Sequence, residues 1–377
     1  MTKLLRISTV PTSLNTFCKG LLKELSQEGY EVVAVSSPGE ALKELSEREG
    51  VRTIEVPMER HISISKDIKS LWQMWRVMRR EKPDMVHSMT PKAGLVSMVA
   101  AKLAGVPIRI HTFTGLVFPT STGLKRRILM FTDWLTCACA THIIPEGEGV
   151  KADLLKNKIT KKDIRVLGHG NIRGIDLEHF KPEPHKTPPK ESGFSFVFVG
   201  RLVGDKGINE LVEAFSRLNK EHPETRLVLV GPEEEKIDPI QPETAAEIKR
   251  NPAIDAVGQQ SDVRPFFTSA DALVFPSYRE GFPNVVIEAG AMGLPSIVTD
   301  INGSREIIID GENGMIIPSK NAEALYQAMK HFVENPEDVK RMAENARPLI
   351  ASRYEQSYVR QCLKDFYKEC IASISKE

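Results

Sequence analysis

The second half of the chain opens with a buried-strand signal, Phe194-Ser195-Phe196-Val197-Phe198-Val199, followed by the turn Gly200-Arg201-Leu202-Val203-Gly204-Asp205-Lys206-Gly207. A nearly continuous run of aromatic and β-branched residues is typical of a strand that is covered on both faces. The glycine-rich turn leads directly into a helical pattern that begins near Ile208. A buried strand that turns at once into a helix is the repeating element of doubly wound α/β domains.

Short apolar runs alternate with amphipathic helical stretches along the rest of the chain. Strand patterns occupy residues 4–8, 31–35, 84–87, 108–111, 226–230, 253–257, 272–275 and 296–298, with helical patterns between them, such as 20–25 and 68–78. Strands that alternate with helices form parallel sheets covered by helices on both faces. The predicted fold class is α/β, with two doubly wound, Rossmann-like parallel-sheet domains facing each other across a cleft.

A proline-rich segment divides the chain. Residues 181–190 contain four prolines, and proline both lacks a donor N–H and restricts its neighbour, so neither a helix nor a central strand can run through. We predict an N-terminal domain over residues 1–180, a linker over 181–190 and a C-terminal domain over 191–355. Residues 356–377 are predicted to form a C-terminal helix that packs back on the N-terminal domain.

Composition indicates an ordinary globular protein. The 377 residues are 41% hydrophobic and 27% charged, which excludes wholesale disorder. The longest uncharged window, residues 110–124, is shorter than the roughly 20 residues of a membrane-spanning helix. Arg6 comes too early for a signal-peptide core. Five cysteines without a CxxC pair favour a reducing cytosol over a disulfide scaffold or a zinc site.

The charges are unevenly distributed. Residues 1–181 hold 28 Lys and Arg against 19 Asp and Glu, a formal charge of +9, whereas residues 182–377 carry −8. A basic first half suggests an anionic partner, either a phosphate-bearing substrate or a membrane surface, unless the lysines are simply scattered surface residues. No zinc-finger spacing or RNA-binding aromatic signature is present, so we expect no nucleic-acid partner.

Two segments carry candidate chemistry. Arg201 and Lys206 flank the turn after the first quoted strand, where cations beside backbone N–H groups suit phosphate oxygens, although surface cations near turns are common. The second segment is Pro276-Ser277-Tyr278-Arg279-Glu280-Gly281-Phe282-Pro283-Asn284-Val285-Val286-Ile287-Glu288-Ala289. Here Glu280 is predicted on a loop, Asn284 as the N-cap of a helix and Glu288 one turn further along. A carboxylate such as Glu288 suits the paired hydroxyls of a ribose.

The second segment resembles the E-x7-E signature of family-4 glycosyltransferases, with Glu280 and Glu288 at its ends. The resemblance continues through residues 303–308 and 310–314, and residues 175–182 resemble the family's interdomain hinge. The first half departs from the family pattern at two points. Residues 11–15 replace a common Gly-Gly loop. Thr114-Gly115-Leu116 stands where many members have His-Gly-Leu, a variant that resembles a subgroup acting in capsule and O-antigen assembly.

The resemblance implies a GT-B fold and retaining sugar transfer from a nucleotide donor, expected to be UDP-linked, without a cofactor or an essential metal. Independently, no Asp-x-Asp motif occurs in the chain. By analogy, Arg201, Lys206 and Glu280 act in catalysis, Glu288 holds the donor ribose, and the donor site includes Gly281, Phe282, Pro283, Asn284, Val285 and, near the base, Gly231 and Gly258. His111 is a further catalytic candidate, with a structural role as the alternative. For His87 the same two roles, catalytic and structural, stay open.

A basic, apolar segment suggests where the acceptor lies. Residues 123–135 join Lys125, Arg126 and Arg127 to a bulky apolar run, as in helices that lie in a membrane interface. The alternative is a helix that packs Leu129, Phe131 and Leu135 into the core. We predict transfer to a polyprenyl-diphosphate-linked glycan by a cytoplasmic enzyme that is peripheral on the inner face of the plasma membrane.

Two other functions stay open at the level of sequence. A sugar-nucleotide 2-epimerase of similar fold would need an acid and a base at the sugar C2, and should lack the Glu280 and Glu288 pair in this register. An inactive sugar-nucleotide-binding protein is the second alternative, since the chain lacks the His-Gly-Leu segment.

Overall fold

The computed structural model describes residues 1–59, 63–182, 193–234 and 238–374. The chain forms two compact units. The first contains Met1–Gly174 and Ser357–Glu377, and the second contains Ile175–Gln356. Of the predicted linker, residues 183–190 lie outside the described residues, as do the last three residues of the predicted C-terminal helix.

The first unit is built on a six-stranded sheet in which all neighbouring strands are parallel. Its strand order is β3-β2-β1-β4-β5-β6. The strands are β1 (Thr2–Ile7), β2 (Tyr30–Ser36), β3 (Arg52–Glu55), β4 (Met85–Met89), β5 (Ile108–Phe113) and β6 (His142–Pro145). The order reverses between β1 and β4, which makes this the topological switch point of the sheet.

Helices cover both faces of the first sheet. They are α1 (Pro11–Phe17), α2 (Leu21–Gln27), α3 (Glu40–Glu49), α4 (Ile64–Glu81), α5 (Pro91–Ala104), α6 (Gly123–Cys139), α7 (Glu148–Lys156) and α15 (Gln356–Ile374). Alternate residues of each strand enter different cores: Leu5 packs with apolar residues of α4 to α7, whereas Leu4 packs with those of α1 to α3 and α15. Among the described residues, no helix is both long enough and apolar enough to cross a bilayer.

The second unit repeats this topology. Its sheet has the order β12-β11-β10-β7-β8-β9, and all its strand pairs are parallel. The strands are β7 (Ser195–Val199), β8 (Arg226–Val230), β9 (Ile254–Gly258), β10 (Ala272–Phe275), β11 (Ser296–Thr299) and β12 (Gly314–Ile317). The switch point of this sheet lies between β7 and β10.

In the described part of the second unit, seven α-helices pack on the sheet around one large apolar core. They are α8 (Ile208–Glu221), α9 (Pro242–Arg250), α10 (Arg264–Ser269), α11 (Asn284–Ala291), α12 (Ser304–Ile307), α13 (Ala322–Glu334) and α14 (Pro336–Tyr354). Backbone hydrogen bonds join the two ends of the second unit. Ile175 N donates to Tyr354 O, and Gln356 N donates to Ile175 O. The predicted fold class, two Rossmann-like parallel sheets of the GT-B type, is confirmed.

Three strands were missed by the pattern analysis, and all three lie at sheet edges. β3, β6 and β12 have four residues each and end the two sheets. Edge strands are often short and carry polar residues, so they lack the long apolar run that marks a central strand. β3 (Arg-Thr-Ile-Glu) shows this most clearly, because both of its charged ends are exposed.

The C-terminal helix α15 belongs to the first unit and completes its core. Arg360 pairs with Glu24, and Lys364 pairs with Glu28 at 2.7 Å. Tyr367 is fully buried, and its hydroxyl accepts a hydrogen bond from Arg6 Nη1 at 3.0 Å. The helix therefore contributes both ion pairs at the surface and a polar anchor inside the first unit.

Two buried histidines lie in the central strands of the first sheet. His87 is held between the Tyr367 hydroxyl at 2.6 Å and Thr112 Oγ1 at 2.7 Å, and burial, followed by the charge of Arg6, lowers its pKa well below the usual value. His111 Nδ1 lies 2.8 Å from Ser88 Oγ, and burial lowers the pKa of His111 to about 3. Both imidazoles are therefore neutral parts of the folded core.

We predict that His111→Asn weakens the pH dependence of stability. Between about pH 6 and 5 the unfolded chain binds a proton at His111 and the folded chain does not, so acidification destabilises the wild type. The free energy of unfolding should fall about 1.4 kcal/mol per pH unit less steeply in the variant. Urea unfolding across this range measures the difference, and parallel profiles for the two proteins would contradict the assignment.

Candidate active site

The candidate site lies at the switch point of the second sheet. In open α/β sheets, ligands bind outside the carboxyl ends of the strands where the strand order reverses. β7 is followed there by a 3₁₀ turn, Gly204–Lys206, that leads into α8, and β10 is followed by the loop 276–283, which leads into α11. Topology thus brings the two sequence-predicted segments together.

Backbone contacts lock the two loops against each other. Gly207 has φ +72°, and a Cβ at this position would overlap the carbonyl oxygen of Pro276. Beside it, Tyr278 N donates a hydrogen bond to Asp205 O at 2.8 Å. Since only glycine allows this approach, Gly207 fixes the position of Lys206 relative to the β10 loop.

An ion pair between Lys206 Nζ and Glu280 Oε1 forms the centre of the site. Ser277 Oγ donates a further hydrogen bond to Glu280 Oε1 at 3.1 Å, and Lys206 Nζ lies 5.8 Å from the ring centroid of Phe275. The two charged side chains are only 14% and 19% exposed. Sequence analysis selected both residues separately, and the structure shows that they are partners.

Arg201, the other predicted cation, has a separate partner. Its Nη1 lies 2.8 Å from Glu234 Oε2, and its side chain is 44% exposed. Sequence analysis assigned no role to Arg279, although the residue lies in the quoted loop. Arg279 Nη2 lies 3.1 Å from Asp205 Oδ2, so it adds a second link between the β7 and β10 loops.

Tyr278 extends the contact between these loops to α8. Its hydroxyl donates to Glu210 Oε1 at 2.6 Å, and burial, followed by this carboxylate, raises the pKa of Tyr278. Tyr278 is therefore a neutral donor across the physiological range. Its neighbours Pro276 and Ser277 mark the segment in the sequence, but nothing in the sequence indicates the partner Glu210.

Helix α11 places the second glutamate. The prediction that Asn284 is the N-cap is wrong: Pro283 is the N-cap, in an extended conformation, and Asn284 is the first helical residue. Val285 and Glu288 follow on the same helix, and both are partly buried. Phe282 is buried with its ring centroid 5.6 Å from that of Tyr354, so its side chain belongs to the core of the unit and not to an open site.

A second glycine, Gly303, holds the loop that precedes α11. A Cβ at Gly303 would lie 2.6 Å from Pro283 Cδ and 2.7 Å from the carbonyl oxygen of Gly281. Gly303 is the N-cap of α12, and its N–H donates to the Glu306 carboxylate at 3.1 Å. The Gly303–Glu306 segment therefore packs directly against the loop that contains Glu280. This contact explains why the two segments belong to one sequence pattern.

Gly231 and Gly258 follow β8 and end β9 at the same edge of the sheet. Gly231 N donates to Gly258 O at 2.9 Å, and a Cβ at Gly231 would overlap the carbonyl oxygen of Gly200. At Gly258 a Cβ would meet nothing within 4 Å, although φ is +68°. The packing role of Gly231 is evident, and the contact of both residues with a nucleotide base stays a prediction.

At the switch point of the first unit, between β1 and β4, two threonine hydroxyls meet. Thr9 Oγ1 lies 2.7 Å from Thr90 Oγ1, and Ala93 N donates to Thr9 Oγ1 at 3.1 Å. His111 lies buried within the adjacent strand β5, with its imidazole packed on Gly94. A catalytic role for His111 stays a prediction.

Comparison with known proteins extends these observations. Residues 180–348 match the model for glycosyl transferases group 1, and residues 14–170 match the glycosyl transferase 4-like domain. The capsular polysaccharide biosynthesis glycosyltransferase CapM of Staphylococcus aureus is 30% identical over 371 residues, 97% of this chain and 96% of that protein. The chain belongs to the group 1 glycosyltransferases. The resemblance inferred from Glu280 to Glu288 is thereby confirmed, and the chain is an enzyme of this family.

A further relative and a solved structure also resemble the chain. The UDP-Gal:alpha-D-GlcNAc-diphosphoundecaprenol alpha-1,3-galactosyltransferase of Escherichia coli is 27% identical over 339 residues, 86% of each chain. The crystal structure of Anabaena Alr3699/HepE in complex with UDP and glucose has a TM-score of 0.80 and 16% identity, and covers 98% of this chain and 100% of that one. At that identity, HepE supports the glycosyltransferase fold alone.

We predict that Gly231→Ala is much more destabilising than Gly258→Ala, although both glycines have positive φ. Both variants strain the backbone, by about 1 kcal/mol at Gly258 in the left-handed region and by more at Gly231, where φ is +146°. Only at position 231 does the new methyl group also overlap a backbone oxygen. We expect Gly231→Ala to lower the free energy of unfolding by at least about 2 kcal/mol more. Urea denaturation of both variants provides the comparison, and equal losses would show that the loop yields without cost.

Proposed function

We propose that this group 1 glycosyltransferase transfers a sugar from a UDP-linked donor to a polyprenyl-diphosphate-linked glycan, with retention at the anomeric carbon and without an essential metal. The acceptor is part of a surface polysaccharide such as a capsule. The enzyme acts as a peripheral protein at the cytoplasmic face of the membrane. The observation that carries the proposal is the Lys206–Glu280 ion pair at the switch point of the second unit.

The ion pair suits a site that receives an anion next to a sugar. A nucleotide diphosphate gives Lys206 a stronger anionic partner than a single carboxylate, because charge-assisted bonds to phosphate oxygens are strong. Glu280 then becomes available to accept hydrogen bonds from sugar hydroxyls. Ser277, which donates to Glu280, keeps the carboxylate in place during this exchange.

Bond cleavage adds negative charge to the departing UDP. As the bond between the anomeric carbon and the β-phosphate oxygen breaks, fixed cations and oriented N–H groups stabilise that oxygen without reorganisation. In this proposal Lys206, Arg201 and the first turn of α11 supply them, in the place that a divalent metal takes in other transferases. Glu288, on α11, accepts the ribose hydroxyls.

The choice of donor and acceptor rests on the relatives. The Escherichia coli enzyme is named for UDP-galactose and a diphosphoundecaprenol acceptor, and CapM for capsular polysaccharide biosynthesis. UDP-galactose is an α-linked donor and the linkage in that name is alpha-1,3, which favours retention. Undecaprenol chains reside in the bilayer, so an enzyme with such an acceptor works at the membrane surface.

We predict that Lys206→Ala lowers turnover by at least about a hundredfold, the typical effect of removing one group that stabilises developing charge. Glu288→Ala should mainly raise the KM for the donor. The control is Lys220→Ala, which removes an exposed cation of α8 away from the switch point and should leave both constants unchanged. UDP release from a panel of UDP-sugars with undecaprenyl-diphosphate-linked acceptors measures the rates.

Thermal unfolding with UDP separates donor binding from turnover. A ligand at about 100 times its Kd stabilises the folded state by about 2.7 kcal/mol, so UDP should raise the Tm of the wild type and of Lys220→Ala. No shift with UDP, GDP or TDP would overturn the proposal. Conversion of the donor sugar in the absence of acceptor would favour the epimerase instead, and donor binding without either reaction would indicate an inactive sugar-nucleotide-binding protein.

A further inference from the structure

Two helices of the first unit expose apolar side chains that take no part in its core. On α4 these are Ile64, Ile68 and Trp72, and on α6 they are Leu124, Ile128, Phe131 and Trp134. We refer to these seven residues as the α4–α6 surface. Single exposed apolar residues are ordinary on soluble proteins, but rows of them on neighbouring helices are not.

On α4 the exposed apolar residues follow a single helix face. Ile64, Ile68 and Trp72 are four residues apart and are 77%, 61% and 53% exposed. The opposite face of the same helix buries Met74 and Met78 in the core. The exposed row is therefore additional to the face that packs α4 on the sheet.

Helix α6 also has an exposed apolar face. It agrees in part with both interpretations of the sequence, the interfacial helix and the helix packed into the core. Leu129 and Leu135 pack against the core, as the alternative interpretation of the sequence expected. Phe131 is 59% exposed, and Leu124, about two helical turns earlier on the same face, is 73% exposed. The rings of Phe131 and Trp134 are stacked, with centroids 5.7 Å apart. α6 thus has one apolar face toward the core and a second toward solvent.

Helix α5 joins these two rows into one layer. It packs against α4 on one side and α6 on the other. At its exposed end it contributes Lys102 and Leu103, of which Leu103 is 66% exposed. The three helices cover the same face of the first sheet, so both rows belong to one side of the unit.

The charges that the two described helices expose are all positive, although Glu59, an exposed residue that precedes α4, pairs with Lys66. Exposed cations on the two helices are Lys66, Lys69, Arg76, Arg79, Arg80, Lys125 and Arg127. Neither of these two described helices has an exposed acidic side chain: Asp67 pairs with Lys92, and Glu81 and Asp133 are buried. Arg126 points elsewhere, since it donates to Phe118 O and Asn157 Oδ1. The surface is therefore complementary to an anionic partner.

We propose that the α4–α6 surface docks the first unit on an anionic lipid bilayer, with its apolar residues among the headgroups and its cations on the lipid phosphates. The inference rests on the proposed function, which places the acceptor in a membrane. Rows of Trp, Phe, Leu and Ile bordered by Lys and Arg are characteristic of helices that lie in an interface. Arg76, stacked 4.6 Å from the Trp72 ring centroid, keeps a cation beside the aromatic anchor.

Co-sedimentation with vesicles tests this inference. The probes are vesicles of equal parts phosphatidylglycerol and phosphatidylcholine, and vesicles of phosphatidylcholine alone. The variants are Ile68→Glu with Trp72→Glu on α4, and Leu124→Glu with Phe131→Glu on α6. The control, Leu155→Glu with Ile309→Glu, adds the same two charges at partly exposed apolar positions outside both helices.

We expect the wild type and the control to bind the anionic vesicles, with little binding to phosphatidylcholine alone. Each double variant should bind at least tenfold more weakly, because it loses two anchors and places carboxylates against the lipid phosphates. All proteins should keep the same rise in Tm with UDP, which shows that the fold and the donor site are intact.

Several outcomes would overturn the docking surface. One is that the wild type fails to bind anionic vesicles, and a second is that the double variants bind as well as the control. The third is that the double variants convert an oligomer into monomers in lipid-free gel filtration. The last result would identify the surface as an interface between copies. Failure of the proposed transfer reaction is separate: it appears as absent turnover or UDP binding while vesicle binding persists.

Discussion

The close approach of Gly207 to the carbonyl oxygen of Pro276 is the constraint on which the candidate site depends. It joins the loop after β7 to the loop after β10, so that Lys206 and Glu280 meet although they are 74 residues apart. Every other link between these loops, from Tyr278 to Asp205 or from Arg279 to Asp205, adds to an arrangement that the backbone already enforces. Charged side chains are held in position by uncharged peptide groups, which need no counter-ion and do not titrate.

The two units share a strand order, but different groups meet at their switch points. In the first unit, the hydroxyls of Thr9 and Thr90 meet in a neutral hydrogen bond. In the second, an ammonium group and a carboxylate meet in a mostly buried ion pair. Ion pairs of this kind contribute little net stability, because desolvation of both charges offsets their attraction. Keeping one at the centre of a site therefore makes sense where a ligand is to replace one of the partners.

Sequence reasoning recovered the central strands and both loops of the site, because long apolar runs and glycine-proline breaks are local signals. It missed β3, β6 and β12, three short strands at sheet edges. It gave no sign that Lys206 pairs with Glu280, that Arg201 pairs with Glu234 or that Phe282 is buried against Tyr354. Such pairings join residues that are distant in sequence, and they are determined by packing that no local pattern contains.

The position of helix α15, after the second unit in the chain, affects when each unit can fold during synthesis. Leu363, Phe366, Tyr367 and Cys370 are core residues of the first unit, yet they follow the entire second unit in the chain. On the ribosome, the second unit emerges complete while the first still lacks helix α15. With it the first unit lacks Tyr367, the hydrogen-bond partner of its buried Arg6. The N-terminal residues therefore lack part of their core until α15 has been synthesised, and a chain cut short before α15 is expected to lose the unit that was synthesised first.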